Sequence, residues 1–255
     1  MAVPALSSNY LKVRRHSRVW RTISRLKHFV LLTWRPNYCF NLGRSCRGKH
    51  MKIGLEFFFD CSSPWTYLAF VRLLERTPHL PIDLIWKPIL VGGVFNKVNG
   101  DVYSQRINPN PIKAAYYRKD LADWARVAGI ELISPTVFPV RSVTAMRGCF
   151  YAMSQDRLVP YAKALFEAYW EQDRDIGQNE VIVACAEQAG LSGPACLEAA
   201  ASPEAKASLI ANTEELIARG GFGSPTFFVN DDDIYFGNDR LELVEAAIRR
   251  LLREG

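Results

Sequence analysis

Residues 52–69 read KIGLEFFFDCSSPWTYLA and predict a buried strand, a sharp turn and a helix. The apolar, aromatic-rich residues 53–59 have the composition of a strand inside a sheet. The polar residues 60–63 end this run, and Pro64 then stands at the first helical position, where proline is best tolerated. Ser63, immediately before the proline, is therefore predicted to be the N-cap of the helix.

Ser63 has two interpretations. Serine is common at helix N-caps, so capping alone accounts for its presence. A strand that leads directly into a helix, however, presents free N–H groups and the positive end of the helix dipole, where a thiolate or another anion is stabilised. Under this second interpretation, the Ser63 hydroxyl donates a hydrogen bond to the sulfur of a bound thiol and does not itself attack the substrate.

The positive charge of the chain is confined to its first fifty residues. They contain eleven of the 32 basic residues and none of the 26 acidic ones, which leaves 21 basic against 26 acidic residues in the remainder. The remainder is therefore mildly acidic and lacks the charge pattern of a nucleic-acid-binding surface.

Three interpretations remain open for residues 1–50. An Arg-rich, acid-free segment that contains serines is typical of an organelle transit peptide. A basic arm can also bind nucleic acid or a membrane surface. Alternatively, translation begins at Met51, two residues before the predicted strand, and this is the interpretation that we favour. The apolar residues 29–34 are too few to span a bilayer, so we expect no membrane anchor.

Cysteine and histidine usage indicates neither a disulfide framework nor a metal site. The six cysteines contain no C-x-x-C pair, which favours the reducing cytosol, whereas a transit peptide would direct the protein to an organelle. Cys39, Cys46 and His50 match no zinc-binding spacing. His79 is the only histidine after residue 50, so a histidine-based catalytic dyad is excluded there.

Beyond the first helix, the pattern predicts a second strand and then a long helical region. Residues 82–86 complete a β-α-β unit, which is expected to cross over with a right-handed connection. Residues 89–111 contain three glycines and two prolines and predict a loop with one short helix around residues 93–97. Six helices are predicted to follow, over residues 113–128, 142–155, 160–171, 179–189, 193–201 and 203–219.

The last part of the chain returns to strand character. Residues 222–229 and 234–236 flank a hairpin turn and predict an antiparallel pair, which a helix over residues 240–252 follows. This order predicts an α/β fold in which a thioredoxin-like core, β-α-β and β-β-α, is interrupted by a large all-helical insertion. The core is assigned to residues 51–112 and 219–255, and the insertion to residues 113–218.

Pro225 stands at the start of the strand that follows the helical region. A proline at the beginning of a strand needs no hydrogen bond in the sheet, which is one explanation for it. The second explanation for Pro225 is a cis Ser224–Pro225 bond. In the predicted topology, this bond exposes a backbone amide beside the Ser63 turn. Such an edge can pair with the backbone of an extended, peptide-like ligand, and we predict the cis bond.

Four segments together resemble the 2-hydroxychromene-2-carboxylate isomerases, which are relatives of the kappa-class glutathione transferases in the DsbA-like thioredoxin superfamily. Residues 59–69, FDCSSPWTYLA, resemble the reactive turn of these enzymes, and residues 223–226, GSPT, resemble their cis-proline turn. Residues 236–240, FGNDR, resemble their glutathione-carboxylate motif. Residues 86–95, WKPILVGGVF, resemble the segment after their second strand. The four matches follow the order of the family.

The resemblance implies that glutathione is the cofactor. Ser63 is implied to bind and activate the glutathione sulfur, and Ser224 to pair its backbone with the cysteinyl unit. Asn99 and Lys113 fall near positions at which relatives contact the glycyl end.

The γ-glutamyl end of glutathione is implied to meet the motif that consists of Phe236 and the four residues after it. Asp239 would contact the α-ammonium group. The neighbouring amides, with Asn238 and Arg240, would hold the carboxylate, and Gly237 completes the motif. Asp239 can also be an ordinary N-cap of the last helix.

The resemblance is weaker at the second substrate. A lysine approaches the substrate carboxylate in naphthalene-degrading isomerases, and Phe95 stands at that position here. Lys97 lies nearby as a substitute, and Phe138 occupies a place where an aromatic residue borders the substrate.

The implied function is a glutathione-dependent isomerase that interconverts 2-hydroxychromene-2-carboxylate and trans-o-hydroxybenzylidenepyruvate in the catabolism of aromatic hydrocarbons. Relatives are often homodimers. A kappa-like glutathione transferase or peroxidase is the first alternative, and a non-catalytic thioredoxin-like binding protein is the second. A disulfide oxidoreductase is disfavoured, because Ser63 and Thr66 stand where that chemistry needs two cysteines.

Overall fold

A computed structural model describes residues 52–254 of the chain. Residues 1–50, with Cys39, Cys46 and His50, lie outside the described residues, so the interpretations of that segment stay open. The described strands and helices are, in chain order, β1 (Ile53–Phe59), α1 (Pro64–Arg76), β2 (Ile82–Pro88), α2 (Val91–Val98), α3 (Asp101–Ile107), α4 (Pro111–Ala128), α5 (Val143–Ser154), α6 (Leu158–Trp170), α7 (Asn179–Gln188), α8 (Gly193–Ala201), α9 (Pro203–Ala218), β3 (Thr226–Val229), β4 (Asp233–Phe236) and α10 (Leu241–Glu254).

The four strands form one mixed sheet in the order β2-β1-β3-β4. β1 is parallel to β2 and antiparallel to β3, and β3 is antiparallel to β4. The central strand β1 is buried almost throughout, because helices pack on both faces of the sheet. The predicted β-α-β unit and the final antiparallel pair are confirmed.

Aromatic side chains of β1 anchor both faces of the sheet. Phe57 stacks on Phe227 with ring centroids 4.9 Å apart and meets the ring of Trp86 edge-on. On the opposite face, Phe58 packs edge-to-face against Phe228, next to apolar side chains of α2 and α9. Full burial of each such ring contributes about 1.5–3 kcal/mol of transfer free energy. This packing holds the end of β1, from which the Ser63 turn begins.

Residues 89–111 form two helices, α2 and α3, and the prediction of a loop with one short helix is wrong there. Gly92 and Gly93 lie inside α2 and do not end it. A Cβ atom on Gly93 would lie 3.3 Å from Thr213 Cγ2 on α9, so glycine lets the two helices pack closely. The sequence pattern gives no means of separating such a packing glycine from a helix breaker.

The six helices predicted between residues 113 and 219 are present as α4 to α9, each with ends within two residues of the prediction. Because α4 begins at Pro111, the predicted domain boundary after residue 112 falls in the first turn of this helix. The division into a core and an insertion with those boundaries stays a prediction. Within residues 52–254, no helix has the length and apolar character needed to cross a bilayer.

Candidate active site

Ser63 lies at the point where the chain leaves β1 and enters α1. Its backbone is extended, with φ −105° and ψ 124°, and its Oγ accepts a hydrogen bond from Thr66 N at 3.2 Å. Pro64 occupies the first turn of the helix. The predicted N-cap is confirmed, and the hydroxyl lies at the positive end of the α1 dipole.

Ser224 meets Ser63 across this turn, immediately before the Ser224–Pro225 peptide bond, which is cis. The Ser63 hydroxyl donates to the Ser224 carbonyl oxygen at 3.3 Å. The Ser224 hydroxyl lies 2.8 Å from Thr66 Oγ1 and accepts from Asp60 N at 3.2 Å. The Ser224 N–H has no hydrogen-bond partner in the described part of the chain. Ser224 therefore presents a backbone donor and an acceptor that a ligand backbone can use.

Asp60 is a fully buried carboxylate at the base of the turn. Its Oδ1 accepts from Ser62 N at 2.9 Å, and its Oδ2 accepts from Val91 N at 2.9 Å and from Ser142 Oγ at 3.3 Å. The carboxylate thus ties the Ser63 turn to the starts of α2 and α5. Burial raises the pKa of Asp60 above its ordinary value of 3.8, and the hydrogen bonds offset this only in part.

The raised pKa of Asp60 predicts a pH dependence of stability. The folded state holds the Asp60 proton more tightly than the unfolded state, so this contribution is full below about pH 4 and is lost as the pH rises through the folded pKa. We expect that lowering the pH from about 7 to about 4 stabilises the native chain relative to the Asp60→Asn variant. Urea unfolding of both proteins at each pH measures this difference in the free energy of unfolding.

Asp173→Asn is the matched control for the pH experiment. Asp173 accepts hydrogen bonds from Thr136 N and Oγ1, which lower the pKa of its carboxyl. Its contribution therefore changes only below about pH 4, and no relative stabilisation of the native chain is expected between about pH 7 and about pH 4. A difference for Asp60→Asn that is flat from about pH 7 down to about pH 4, or of opposite sign, would contradict a raised pKa of Asp60.

A cleft of about 920 Å³ opens on Ser63 and Ser224. Its walls come from α2, α3, the start of α4 and residues 138–143. The charged side chains among its described lining residues are all cationic: Arg106, Lys113, Arg118 and Arg141. None of these four forms an ion pair with another described residue. The cleft is therefore electropositive and suits an anionic ligand.

The structure brings most of the predicted site residues to this cleft. Those that line it are Ser63, Phe95, Asn99, Lys113, Phe138, Ser224 and Phe236. Lys97 is not among the lining residues, and its ammonium pairs with Glu214 on α9 at 3.0 Å. The Asn99 side-chain amide donates to Phe222 O at 3.2 Å. The assigned roles of these residues in binding stay predictions.

The segment after β4, residues 237–240, is not part of the cleft lining. Gly237 has φ +113°, and a Cβ atom there would lie 2.6 Å from Asp239 Oδ1, so this turn requires glycine. Asn238 is buried, and its side-chain nitrogen has no hydrogen-bond partner among the described residues. Asp239 and Arg240 form an ion pair with each other.

Arg72 anchors this segment, and the sequence analysis missed it. Its guanidinium donates to Asn238 O at 2.6 Å and to Glu242 Oε1 at 2.8 Å, and lies over the ring of Trp124. One feature of the sequence could have indicated Arg72. It lies four residues after Leu68, on the buried face of α1, where a charged side chain needs a partner. Arg106 carried no such signal, because its helix α3 was itself not predicted.

Cys61 is unsuited to thiol chemistry. It is fully buried, and desolvation raises the pKa of its thiol well above the ordinary range, so the reactive thiolate is disfavoured. Its carbonyl oxygen accepts from Trp170 Nε1 at 2.9 Å, which fixes it as part of the core. In the part of the chain that the structure describes, no cluster of three His, Cys, Asp or Glu side chains could hold a metal ion.

Several known proteins are similar to this chain in sequence or in fold. A 2-hydroxychromene-2-carboxylate isomerase of Sphingobium xenophagum is 28% identical over 200 residues, which cover 76% of this chain and 97% of the relative. The glutathione S-transferase kappa 1 of Homo sapiens is 28% identical over 207 residues, which cover 74% of this chain and 88% of the relative. A solved structure of a 2-hydroxychromene-2-carboxylate isomerase superposes with a TM-score of 0.67 at 26% identity and covers 79% of this chain and 97% of that chain.

A probable DsbA oxidoreductase from Streptomyces coelicolor has the same fold. It superposes with a TM-score of 0.65 at 17% identity and covers 80% of this chain and 91% of that chain. The family model of the DSBA-like thioredoxin domain matches residues 54–249, most of the chain. The fold is therefore thioredoxin-like with a helical insertion, as predicted, and the chain belongs to the family of DSBA-like thioredoxin domains.

Proposed function

We propose that the chain is a glutathione-dependent isomerase that interconverts 2-hydroxychromene-2-carboxylate and trans-o-hydroxybenzylidenepyruvate. The observation that carries the proposal is the Ser63 hydroxyl, which lies at the N-terminus of α1, beside the Ser224 carbonyl and at an electropositive cleft. Isomerases of this name are among the relatives at 28% identity and support the reaction class.

The backbone of Ser224 fits the peptide part of glutathione. Its N–H has no partner in the described residues, and its carbonyl oxygen accepts only from the Ser63 hydroxyl. An extended ligand backbone can satisfy both groups at once, as in the addition of a strand. The Ser63 hydroxyl proton can rotate about the Cβ–Oγ bond from the Ser224 carbonyl oxygen, 3.3 Å away, towards the sulfur of a bound ligand.

Two groups are proposed to meet the two carboxylates of glutathione: Lys113 in the cleft, and Asn238 in the segment after β4, which lies outside the cleft lining. Lys113 lies at the start of α4, where the resemblance places the glycyl end, and it has no described carboxylate partner. At the other end, the buried Asn238 side-chain nitrogen lacks an acceptor, and a bound γ-glutamyl carboxylate would supply one. Asp239, paired with Arg240 in this structure, would turn to the ligand ammonium.

Glutathione, when bound, would supply a nucleophilic thiol that adds to the chromene and leaves again, so that the cofactor returns unchanged. The protein has two tasks in this scheme. The Ser63 hydroxyl and the α1 dipole stabilise negative charge at the sulfur position and so lower the thiol pKa. The cleft walls orient the second substrate beside the sulfur position.

An absorbance assay tests the proposal on the full chain. 2-Hydroxychromene-2-carboxylate is added with and without glutathione, and the benzylidenepyruvate band is followed. Growth of the band only with glutathione is the expected result. No growth in folded protein, or growth that does not depend on glutathione, would contradict the proposed reaction.

A kappa-like glutathione transferase or peroxidase is the second candidate. The observation that favours it is Phe95, which lines the cleft where the naphthalene-degrading isomerases have a lysine. Human glutathione S-transferase kappa 1 is also among the relatives. Glutathione-dependent turnover of chlorodinitrobenzene or cumene hydroperoxide, without chromene turnover, would establish this candidate. A partner-binding role without catalysis would instead leave all three substrates unchanged.

Assembly and location remain further proposals. We infer a cytosolic protein, with an organelle as the alternative if residues 1–50 are a transit peptide, and the resemblance to a family whose members are often homodimers is the ground for proposing a homodimer. Sedimentation of the purified chain and fractionation of cells that express it test these two points.

A further inference from the structure

We propose that Arg106 binds the carboxylate of the second substrate, an aromatic carboxylate, and sets the preference for it. Arg106 lies on α3 and lines the same cleft as Ser63. The inference rests on the proposed function, because it names the residue that recognises the substrate of that function. Phe95 stands where the naphthalene-degrading isomerases have the lysine that approaches the substrate carboxylate. Under this proposal, Arg106 supplies the positive charge in its place.

Two aromatic rings hold the Arg106 guanidinium at the cleft. Its central carbon lies 5.7 Å from the ring centroid of Phe95 on α2 and 5.2 Å from that of Phe138 in the loop before α5. Both separations are within the range of cation–π contacts, about 6 Å. Phe95 precedes α4 in the sequence and Phe138 follows it, so the two rings belong to different walls of the cleft. Arg106 therefore connects these two walls. The guanidinium is therefore positioned before any ligand arrives.

The hydrogen-bond donors of Arg106 are available to a ligand. In the described residues, the Arg106 guanidinium forms no ion pair and no hydrogen bond, and its contacts are with the rings of Phe95 and Phe138. Because the lining of the cleft contains no described acidic side chain, nothing in the site neutralises this charge. A planar guanidinium with free N–H groups binds a carboxylate through two parallel hydrogen bonds.

Lys97, the cation that the sequence suggested for this role, is committed elsewhere. Its ammonium is paired with Glu214 and does not line the cleft. Arg106 is instead flanked by the two residues, Phe95 and Phe138, that the resemblance places beside the substrate. An aromatic body can pack on these rings while its carboxylate meets the guanidinium. The two apolar rings beside the Arg106 guanidinium favour a flat aromatic carboxylate over a neutral aromatic ligand.

Binding of a stable substrate analogue tests the proposal without turnover. Chromone-2-carboxylate and its neutral carboxamide are titrated calorimetrically against the full chain, with glutathione present. The native chain is expected to prefer the carboxylate, and Arg106→Met is expected to weaken carboxylate binding about 10- to 100-fold while it leaves carboxamide binding within about threefold. Arg106→Lys, which keeps the charge but not the planar fork, is expected to restore part of the preference.

Arg126→Met is the control, because it removes the same charge from the exposed face of α4, where Arg126 pairs with Asp123. It is expected to leave both affinities unchanged. Equal weakening of carboxylate and carboxamide by Arg106→Met would show a packing role only and overturn the proposal. An absence of carboxylate preference in the native chain would overturn it as well.

The same titrations separate this inference from the proposed function. If carboxylate binding depended on Arg106 but the absorbance assay showed no isomerisation, the carboxylate-binding role of Arg106 would be supported and the proposed isomerase activity would be rejected. If Arg106→Met isomerised the chromene normally and with an unchanged KM, the carboxylate-binding role of Arg106 would be rejected and the proposed isomerase activity would stand.

Discussion

Replacement of Ser63 by alanine is expected to lower the glutathione-dependent rate by roughly 10- to 100-fold. The variant removes the hydroxyl that we propose to donate to the glutathione sulfur and that donates to Ser224 O in this structure, and hydrogen bonds to charged groups contribute about 1.5–3 kcal/mol. The same loss should raise the pKa of the bound thiol by about one to two units, since one unit corresponds to about 1.4 kcal/mol. Ultraviolet titration of the bound thiolate and the pH profile of kcat/KM measure this shift.

Ser202→Ala is the matched control for Ser63→Ala. Ser202 caps α9 as Ser63 caps α1, with its hydroxyl accepting from Ala205 N at 3.1 Å, but it is not part of the cleft lining. Each substitution should lower the free energy of unfolding by about 0.5–2 kcal/mol, the usual effect of losing an N-cap. Only Ser63→Ala should lose activity. If both variants kept the native rate and thiol pKa, Ser63 would be a cap and nothing more.

The parts of the site that the sequence could predict are those that depend on local chemistry. A strand that ends at Phe59, a capping Ser63 and the Pro64 that follows it are recognisable within a dozen residues, because each has a preference that acts over one turn of chain. The antiparallel β3–β4 pair was equally local, since a short turn sets its pairing. Ser224 could be placed opposite Ser63 only through the topology that these elements imply.

The parts that could not be predicted depend on packing between distant segments. Arg106 meets Phe138 across 32 positions of the sequence, and no local pattern encodes the docking of α3 against that loop. The cis Phe138–Pro139 bond, which borders the same wall, was missed for the same reason. Burial of Asp60 is likewise a property of the assembled fold, because the three groups that contact its carboxylate come from three separate segments.

Arg72→Met is expected to reduce the free energy of unfolding by about 2–4 kcal/mol and to raise the KM for glutathione. Arg72 is 4% exposed, and its loss leaves the buried Asn238 carbonyl without the donor at 2.6 Å and removes the contact with the Trp124 ring. An unsatisfied buried carbonyl costs about 1–3 kcal/mol, and the cation–π contact contributes about 0.5–2 kcal/mol. Methionine keeps most of the apolar volume, so the change reports on the polar contacts.

The glutathione effect of Arg72→Met follows from the position of Asn238 in the motif proposed to hold the γ-glutamyl group. Without the guanidinium, nothing described fixes the Asn238 carbonyl, so KM should rise while kcat for bound glutathione changes little. Arg76→Met is the matched control: Arg76 pairs from α1 with Glu242 and Glu245, but its side chain is 33% exposed, and loss of each such pair costs at most about 1 kcal/mol. If Arg72→Met and Arg76→Met caused equally small changes in the free energy of unfolding and in the KM for glutathione, the buried Arg72–Asn238 contact would not anchor the motif.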